Sequence, residues 1–287
     1  MLLTLGSNVM QIPFIKMHGA GNDYIFVDCF KNVVEQPEKL AVAISDRHFG
    51  VGSDGLVLIL PSEIADCKMR IFNADGSEAK MCGNAIRCVG KYFFENINNH
   101  KNILKVETLS GIKILEIFTE NSIVNEVKVD MDKADFVAKN IPMIWNLDSC
   151  INQPLEIYEK EFMITAVSVG NPHCVVFCEN VDEIPLETLG SKFEHNKIFP
   201  EKVNTEFIQI VDNQTIKMRV WESGSGETLA CGTGACAAVA AAVKNALLPI
   251  NTEICVQLRG GELFIACKPD YQMFMRGNAV EVFRGSY

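Results

Sequence analysis

The sequence predicts an α+β protein of two pseudo-symmetric domains, each with a curved, mostly antiparallel or mixed sheet wrapped around one central helix. Three observations support this prediction: a short signature occurs twice, β-rich runs dominate both halves, and each half contains one strongly apolar helical segment. The chain has 287 residues, which is long for a single hydrophobic core, so two domains are the natural division.

The repeated signature is a Gly-Asn pair followed by a Cys-Gly pair. Asn22 precedes Cys82, and Asn171 precedes Cys231, in both cases by 60 residues, and the two copies are 149 residues apart. Because each copy holds one cysteine, we expect two facing domains that each present a thiol to one ligand between them. We place the first domain at 12–129 plus 277–287 and the second at 130–276.

Short β-rich runs form most of the layout. In the first half the predicted strands are 14–17, 24–28, 56–60, 68–72, 103–108, 112–118 and 123–129. In the second half they are 162–169, 174–177, 207–211, 215–221, 254–258 and 263–267. Such a pattern does not resemble alternating βαβ units and favours a largely antiparallel sheet.

Three segments are predicted to be helical. A proline begins the first, over 37–47. The second follows Cys82 and has Ile86, Val89, Tyr92 and Phe93 at helical spacing. The third follows Cys231 and runs to Leu248; it is apolar nearly all round, so we expect it to be buried on most faces.

The bulk composition excludes several classes of function. A net charge of −10, with no clustered Lys/Arg stripe, lacks the electrostatic footprint of a nucleic-acid-binding protein and makes anionic membranes a poor partner. The 11 cysteines include no CxxC pair, which is typical of a reduced, cytoplasmic protein. Residues 1–11 contain no basic segment or bilayer-length stretch and are interpreted as a frayed extension.

Both signature cysteines stand where a loop enters a predicted helix. The first N–H groups of a helix have no intrahelical partner and carry partial positive charge, so this place binds a carboxylate. Gly83 and Gly232 let the backbone approach a ligand, while Asn84 and Thr233 supply the next N–H groups. The same field is expected to lower the pKa of each thiol. Cys88 and Cys236, further along the helices, are interpreted as core residues.

The chain resembles the diaminopimelate epimerases over nearly its whole length from Phe14. The resemblance rests on the following motifs: Lys16-Met-His-Gly-Ala-Gly-Asn-Asp-Tyr24, Arg47-His-Phe-Gly-Val-Gly-Ser-Asp-Gly55, Phe72-Asn-Ala-Asp-Gly-Ser-Glu78, Met81-Cys-Gly-Asn-Ala85, Val169-Gly-Asn-Pro-His-Cys174, Phe199-Pro-Glu-Lys-Val-Asn204 and Gly226-Glu-Thr-Leu-Ala-Cys-Gly-Thr-Gly-Ala-Cys236.

The resemblance implies a two-base mechanism that needs no cofactor and no metal. One cysteine thiolate removes the α-proton of an amino acid, and the other cysteine returns a proton to the opposite face. It assigns these roles to Cys82 and Cys231, with His173 assisting Cys82 and Glu222 assisting Cys231. An imidazole or carboxylate within hydrogen-bond reach can take the thiol proton. A homodimer is also implied.

The resemblance further implies the substrate and its contacts. The substrate would be LL-diaminopimelate, converted to the meso form for lysine and peptidoglycan synthesis. Its α-carboxylate is expected on the amides of Gly83, Asn84, Gly232 and Thr233, where preorganised dipoles stabilise the carbanion-like transition state. The remaining substrate contacts are expected from Asn22, Asn73, Asn171, Asn204, Glu222 and Ser223.

One position departs from the family pattern. The family usually has Glu-Arg-Gly where this chain has Glu222-Ser223-Gly224, and a serine cannot replace the charge of an arginine that pairs with the distal carboxylate. A racemase of another amino acid, such as histidine or proline, is therefore the alternative. A thiol hydrolase using Cys82 with His173, and a metal module using His173, Cys174 and Cys178, are further alternatives.

Overall fold

The computed structural model describes residues 11–98 and 101–287. Apart from Gln11, the frayed extension predicted over 1–11 lies outside the described residues. Along the described chain the elements occur as two copies of one order, followed in each case by an additional strand.

The first copy contains eight strands and two helices. They are β1 (Pro13–Gly19), β2 (Asn22–Asp28), α1 (Pro37–Ser45), β3 (Gly55–Leu60), β4 (Cys67–Asn73), β5 (Glu78–Ala79), α2 (Gly83–Asn96), β6 (Ile103–Thr108), β7 (Gly111–Glu120) and β8 (Ile123–Lys133).

The second copy begins after one intervening strand. The elements are β9 (Gln153–Ile157), β10 (Lys160–Ser168), β11 (Pro172–Phe177), α3 (Leu186–Glu194), β12 (Asn204–Ile210), β13 (Thr215–Glu222), β14 (Gly226–Thr228), α4 (Gly232–Lys244), β15 (Glu253–Leu258), β16 (Gly261–Cys267), β17 (Gln272–Asn278) and β18 (Val280–Ser286). Helices α1 and α3 are 149 residues apart at both ends, as are the first residues of α2 and α4.

The described strands form one continuous mixed sheet with an internal pseudo-twofold axis. From one edge to the other the main order is β18, β1, β2, β3, β4, β6, β7, β8, β17, β16, β15, β13, β12, β11, β10 and β9. The axis passes between β8 and β17, which pair antiparallel. Each half of the sheet curves around one helix, as the α+β prediction requires, so the fold class is confirmed.

The two edge strands are exchanged between the copies. Strand β9 follows the first copy in the chain but pairs with β10, the first long strand of the second copy. Strand β18 follows the second copy and pairs with β1, the first strand of the first copy. The first half therefore depends on a strand that follows the whole second copy, whereas β9 is joined to β10 by a short turn. The predicted domain limits, 12–129 plus 277–287 and 130–276, stay a prediction.

The alternation of side chains along the strands separates two apolar layers. On β3, Val57 and Ile59 face the central helices, whereas Leu56 and Leu58 face α1 on the outside. The largest cluster of buried side chains surrounds both α2 and α4. Within α4 the segment 235–242 is fully buried, which confirms the prediction of a helix covered on most faces.

Candidate active site

Helices α2 and α4 begin at the centre of the molecule, next to each other. Cys82 and Cys231 occupy the N-cap positions with extended backbone, at φ −138° and −123°. A β-carbon on Gly232 would lie 3.6 Å from the Cα of Gly83 and 3.0 Å from the sulfur of Met275. Glycine at the first position of each helix thus lets the two N-termini meet, with their free N–H groups facing one space.

That space is a cavity of about 1140 Å³ between the two halves. Eleven of the residues predicted from the sequence line it: Asn22, Asn73, Cys82, Gly83, Asn84, Asn171, Glu222, Ser223, Cys231, Gly232 and Thr233. The two others, His173 and Asn204, are buried behind the wall. The arrangement accommodates a small molecule with a thiol on either side.

Cys82 is surrounded by neutral hydrogen-bonding groups. Its thiol donates to Oδ1 of Asn22 over 3.4 Å, and the same oxygen accepts from Nδ2 of Asn84 over 3.3 Å. The hydroxyl of Tyr24 lies within hydrogen-bond reach of the sulfur. Tyr24 was not predicted from the sequence, although its offset of 149 from His173 could have identified it.

Cys231 has a more acidic environment. Its sulfur accepts from the N–H of Gly234 over 3.3 Å, and it lies 3.5 Å from the hydroxyl of Thr233. The Glu222 carboxylate is within hydrogen-bond reach of the thiol and is held in turn by the hydroxyl of Thr228. Glu222 is therefore placed to take a proton from Cys231.

The expected lowering of the thiol pKa values by the helix N-termini is wrong. Burial raises the pKa of Cys82, although the N–H groups of Ala85 and Asn84 oppose this rise. Burial and the neighbouring carboxylates Glu222 and Glu206 raise the pKa of Cys231 further. Desolvation of a thiolate outweighs the backbone dipoles here, and this favours the protonated form of each thiol.

His173 lies in a buried pair under α4. Its Nδ1 is 2.7 Å from Oε1 of Glu206, and its Nε2 is 3.0 Å from Oδ1 of Asn171. Both His173 and Glu206 have no exposed surface. Both ring nitrogens are thus engaged with Glu206 and Asn171. The assistance of His173 to Cys82 stays a prediction.

Ser223 stands in a turn that other residues hold in place. Its N–H donates to Oδ1 of Asn204 over 2.9 Å, and the N–H of Gly224 donates to Glu194 over 3.1 Å. Glu194 also accepts from the indole of Trp221 and from Lys202. These hydrogen bonds hold the turn, and it presents a serine to the cavity.

A network of charged groups lies behind Asn22 and was not predicted. Asp54 accepts from the amide of Asn22 over 2.7 Å, Arg47 bridges Asp54 and Asp23, and Lys16 pairs with Asp23 over 2.8 Å. These residues belong to the first two quoted motifs. They hold Asn22 in the orientation that receives the thiol of Cys82.

The glutamates four residues before each cysteine form equivalent ion pairs in the two halves. Arg70 forms a two-pronged ion pair with Glu78, and Arg219 does so with Glu227. Each pair ties the short strand before a cysteine to its neighbour in the sheet. The pseudo-symmetry thus extends to the supports of the two thiols.

Within residues 11–98 and 101–287, no group of three or more His, Cys, Asp and Glu side chains is arranged to hold a metal ion. None of the helices in these same ranges has the length and apolar character needed to cross a membrane.

Comparison with known proteins connects this geometry to one family. A family model described as "Diaminopimelate epimerase" matches residues 14–137 and 165–282. A diaminopimelate epimerase of Acetivibrio thermocellus is 53% identical over 273 residues, covering 95% of this chain and 97% of that protein. One from Methanococcus maripaludis is 49% identical over 275 residues, covering 96% of this chain and 99% of that protein.

Solved structures share the fold at much lower identity. A phenazine biosynthesis protein of the PhzF family from Bacillus anthracis has a TM-score of 0.71 at 19% identity, covering 97% of this chain and 99% of that one. A hydroxyproline epimerase from Agrobacterium vitis has a TM-score of 0.70 at 12% identity, covering 96% of this chain and 91% of that one. The full-length similarity to the curated relatives, together with the paired cysteines, shows that the chain belongs to the diaminopimelate epimerase family.

Proposed function

We propose that this isomerase converts LL-diaminopimelate to the meso form by two-base proton transfer, without a cofactor. The observation that carries the proposal is the placement of Cys82 and Cys231 at two adjoining helix N-termini that share one cavity. A carbon held between two such thiols can lose a proton to one side and receive one from the other.

The α-carboxylate binds to the free N–H groups at the start of α2 and α4. Removal of the α-proton moves negative charge onto this carboxylate, so these groups stabilise the transition state more than the bound substrate. Substrate also replaces water in the cavity, so that the one thiolate that removes the α-proton lies beside amides that favour it, while the other cysteine stays a thiol and donates its proton. Cys231 gives up its proton to Glu222, which accounts for the carboxylate beside that thiol.

The substrate assignment takes account of Ser223. Relatives that are about half identical over nearly the full length are named diaminopimelate epimerases, which supports the same substrate here. The hydroxyl of Ser223 cannot form the ion pair of an arginine. Binding of the distal end then relies on the amide groups of Asn73 and Asn171, which line the cavity.

Solvent exchange tests the proposal. Purified protein in D₂O is incubated with LL-diaminopimelate and, separately, with L-histidine and L-proline, and deuterium at the α-carbon is followed by NMR. We expect exchange and inversion with diaminopimelate alone. Exchange confined to the single-carboxylate amino acids would contradict the substrate assignment.

The thiol pair is tested by Cys82→Ser and Cys231→Ser, each of which is expected to lower kcat by roughly 10²–10⁴-fold, because general acid–base groups contribute that much. Cys88→Ser, a core position on α2, serves as the control for loss of one thiol. Full turnover in Cys231→Ser would favour one-thiol chemistry instead.

We further propose that the protein acts in lysine and peptidoglycan synthesis as a cytoplasmic homodimer. All 11 cysteines are free, and two catalytic thiols require the reducing conditions of the cytoplasm. Light scattering coupled to size-exclusion chromatography tests the dimer, for which we expect twice the chain mass of 31.8 kDa.

A further inference from the structure

Arg87 is a fully buried cation that takes no part in the proton-transfer steps proposed above. It lies on α2, one turn after Cys82, and has no exposed surface. Within the described parts of the chain, its guanidinium makes no ion pair with a carboxylate; its hydrogen-bond partners are a sulfur and three oxygens of uncharged groups. A buried charge without a counter-charge is costly, so this position demands a compensating group.

Two glycines on neighbouring strands leave the space that the Arg87 side chain occupies. A β-carbon on Gly19 would lie 2.7 Å from Nη2 of Arg87, and one on Gly277 would lie 3.3 Å from its Nε. Both glycines stand on strands, β1 and β17, where any larger residue would displace the guanidinium. At the equivalent position of α4, 149 residues later, the chain has Cys236, so the cation belongs to the Cys82 side alone.

The hydrogen bonds of Arg87 lead to the reacting groups. Its Nη1 donates to the carbonyl of Gly83 over 3.1 Å, and its Nη2 donates to Oδ1 of Asn84 over 2.9 Å. This contact turns Nδ2 of Asn84 toward Oδ1 of Asn22, which accepts from the Cys82 thiol. Arg87 thus orients both the helix start and the amide relay beside Cys82.

We propose that Arg87 is a positioning residue whose buried charge is balanced by the anions of the working site, the Cys82 thiolate and the substrate α-carboxylate. The proposal rests on the two-thiol function above. A guanidinium behind the helix N-terminus adds a full positive charge to the partial charge of the backbone, in a place from which water is excluded. It therefore favours the thiolate of Cys82 over the thiol and stabilises the negative charge that develops on the carboxylate.

The groups around Arg87 are consistent with this role. The titratable side chains that face it are Cys88 on α2, Cys82 at the N-cap of α2, and Cys236 on α4. The strands β1 and β17 present glycines, Met275 and a backbone carbonyl. Burial lowers the pKa of Arg87, yet a guanidinium starts from so high a value that it remains charged. The thiol at the N-cap is the acidic group to which Asn84 and Asn22 connect it.

Three substitutions test the charge separately from the packing. Arg87→Met removes the charge and fills the space, Arg87→Gln removes the charge but retains an amide donor, and Arg87→Lys retains the charge. The readout is the pH dependence of Cys82 alkylation by iodoacetamide, located by mass spectrometry, together with kcat, KM and Tm. Arg284→Met removes an arginine from a surface ion pair and is the control.

We expect both neutral variants to move the Cys82 alkylation midpoint to higher pH and to lower kcat by about a hundredfold, which is the lower end of the loss when one preorganised donor is removed. Arg87→Lys is expected to retain the wild-type midpoint and to recover part of kcat. A folded neutral variant with the wild-type midpoint would overturn the proposal. If neither neutral variant folds, Arg87→Lys decides, because a raised midpoint in spite of the retained charge would overturn it as well.

Failure of the proposed function can be told apart from failure of this inference. Alkylation of Cys82 needs no substrate, so its pH dependence reports on Arg87 even if the wild-type protein does not epimerise diaminopimelate. Conversely, epimerisation by the wild type together with an unchanged midpoint in Arg87→Met leaves the function standing and removes only the role of Arg87.

Discussion

Glu222 is subject to two opposing influences in the folded protein. Burial raises the pKa of its carboxyl group, while hydrogen bonds from Thr228 and Cys231 oppose the rise. Because the net pKa lies above the ordinary value of 4.5, the folded state binds this proton more tightly than the unfolded state does. Folding stability from this group is therefore complete below about pH 4.5 and is lost as the pH rises through the folded pKa.

Replacing Glu222 by glutamine is therefore expected to stabilise the protein while it abolishes turnover. In thermal unfolding, Glu222→Gln should raise Tm at pH 8, and the difference from wild type should vanish near pH 4. Glu227→Gln is the matched control, for which the expected change in Tm has the opposite sign. Arg219 lowers the pKa of Glu227, so the loss of this carboxylate should lower Tm at pH 8. A lower Tm for Glu222→Gln at pH 8 would contradict the assignment.

Ser223 is expected to limit the affinity for a substrate with two carboxylates. Ser223→Arg places a guanidinium at the cavity wall, where a paired carboxylate gains charge-assisted hydrogen bonds. We expect KM for diaminopimelate to fall about tenfold, equivalent to roughly 1.4 kcal/mol, with kcat little changed. Ser225→Arg, in the same turn and also at the cavity, is the control; an equal effect there would indicate general attraction of anions.

Helix α3 packs against a tryptophan through a glycine. A β-carbon on Gly190 would lie 2.3 Å from the indole ring of Trp221, which is hydrogen-bonded to Glu194 at the end of the same helix. At the equivalent position of α1 the chain has a fully buried alanine, Ala41, because the strand opposite carries Phe72 in place of the tryptophan. Helices α1 and α3 thus have the same length and equivalent positions in the two copies, but they pack against different side chains.

Gly190→Ala is therefore expected to destabilise the second half by about 1–3 kcal/mol, the usual cost of overpacking a core. It should also raise KM, since the displaced indole moves Glu194 and with it the turn of Ser223. Chemical denaturation and steady-state kinetics provide the two measurements. Ser191→Ala, the next residue on α3, should change neither stability nor KM. An unaltered KM in Gly190→Ala would show that the packing of α3 does not influence the turn of Ser223.

Periodicity predicted the long elements well and the short or asymmetric ones poorly. The strands from β1 to β4 were predicted from their β-rich runs, and the helices after both cysteines from their apolar residues. The first helix ends at Ser45 rather than at residue 47, since Asp46 accepts from the N–H groups of His48 and Phe49 and ends it. Helix α3 was missed, although the 149-residue offset from α1 indicates it.

The site was predictable as a set of residues but not as a set of contacts. The repeated signature indicated which side chains meet, because both copies depend on the same helix starts. It did not reveal that Tyr24 stands beside Cys82, where the other half has His173, or that Glu206 pairs with His173. Such differences arise where the copies have diverged, and a repeat can locate only what the copies retain.

At the scale of the whole molecule, the exchanged edge strands bind the two halves into one folding unit. Strand β1 has β2 on one side and β18 on the other, and β18 arrives only after the entire second copy. The largest apolar cluster likewise includes both central helices. We infer that neither half is complete without the other.

Removal of β18 tests this inference. A chain that stops after Asn278 should unfold at a lower Tm and associate, because β1 then presents an unpaired edge. A synthetic peptide of residues 280–287 should restore part of the Tm by pairing with β1, whereas a peptide of the same composition in scrambled order should not. Unchanged Tm and monodispersity in the shortened chain would show that β1 needs no neighbour there.

The position of β18 also has a consequence for protein synthesis. A ribosome releases β1 early, yet the partner of that strand is translated only once residue 286 has been joined. At roughly 5–20 residues per second, the first strand waits on the order of tens of seconds. Throughout this interval the nascent chain carries an open sheet edge. Its exposure to chaperones therefore follows from the order in which the strands are synthesised.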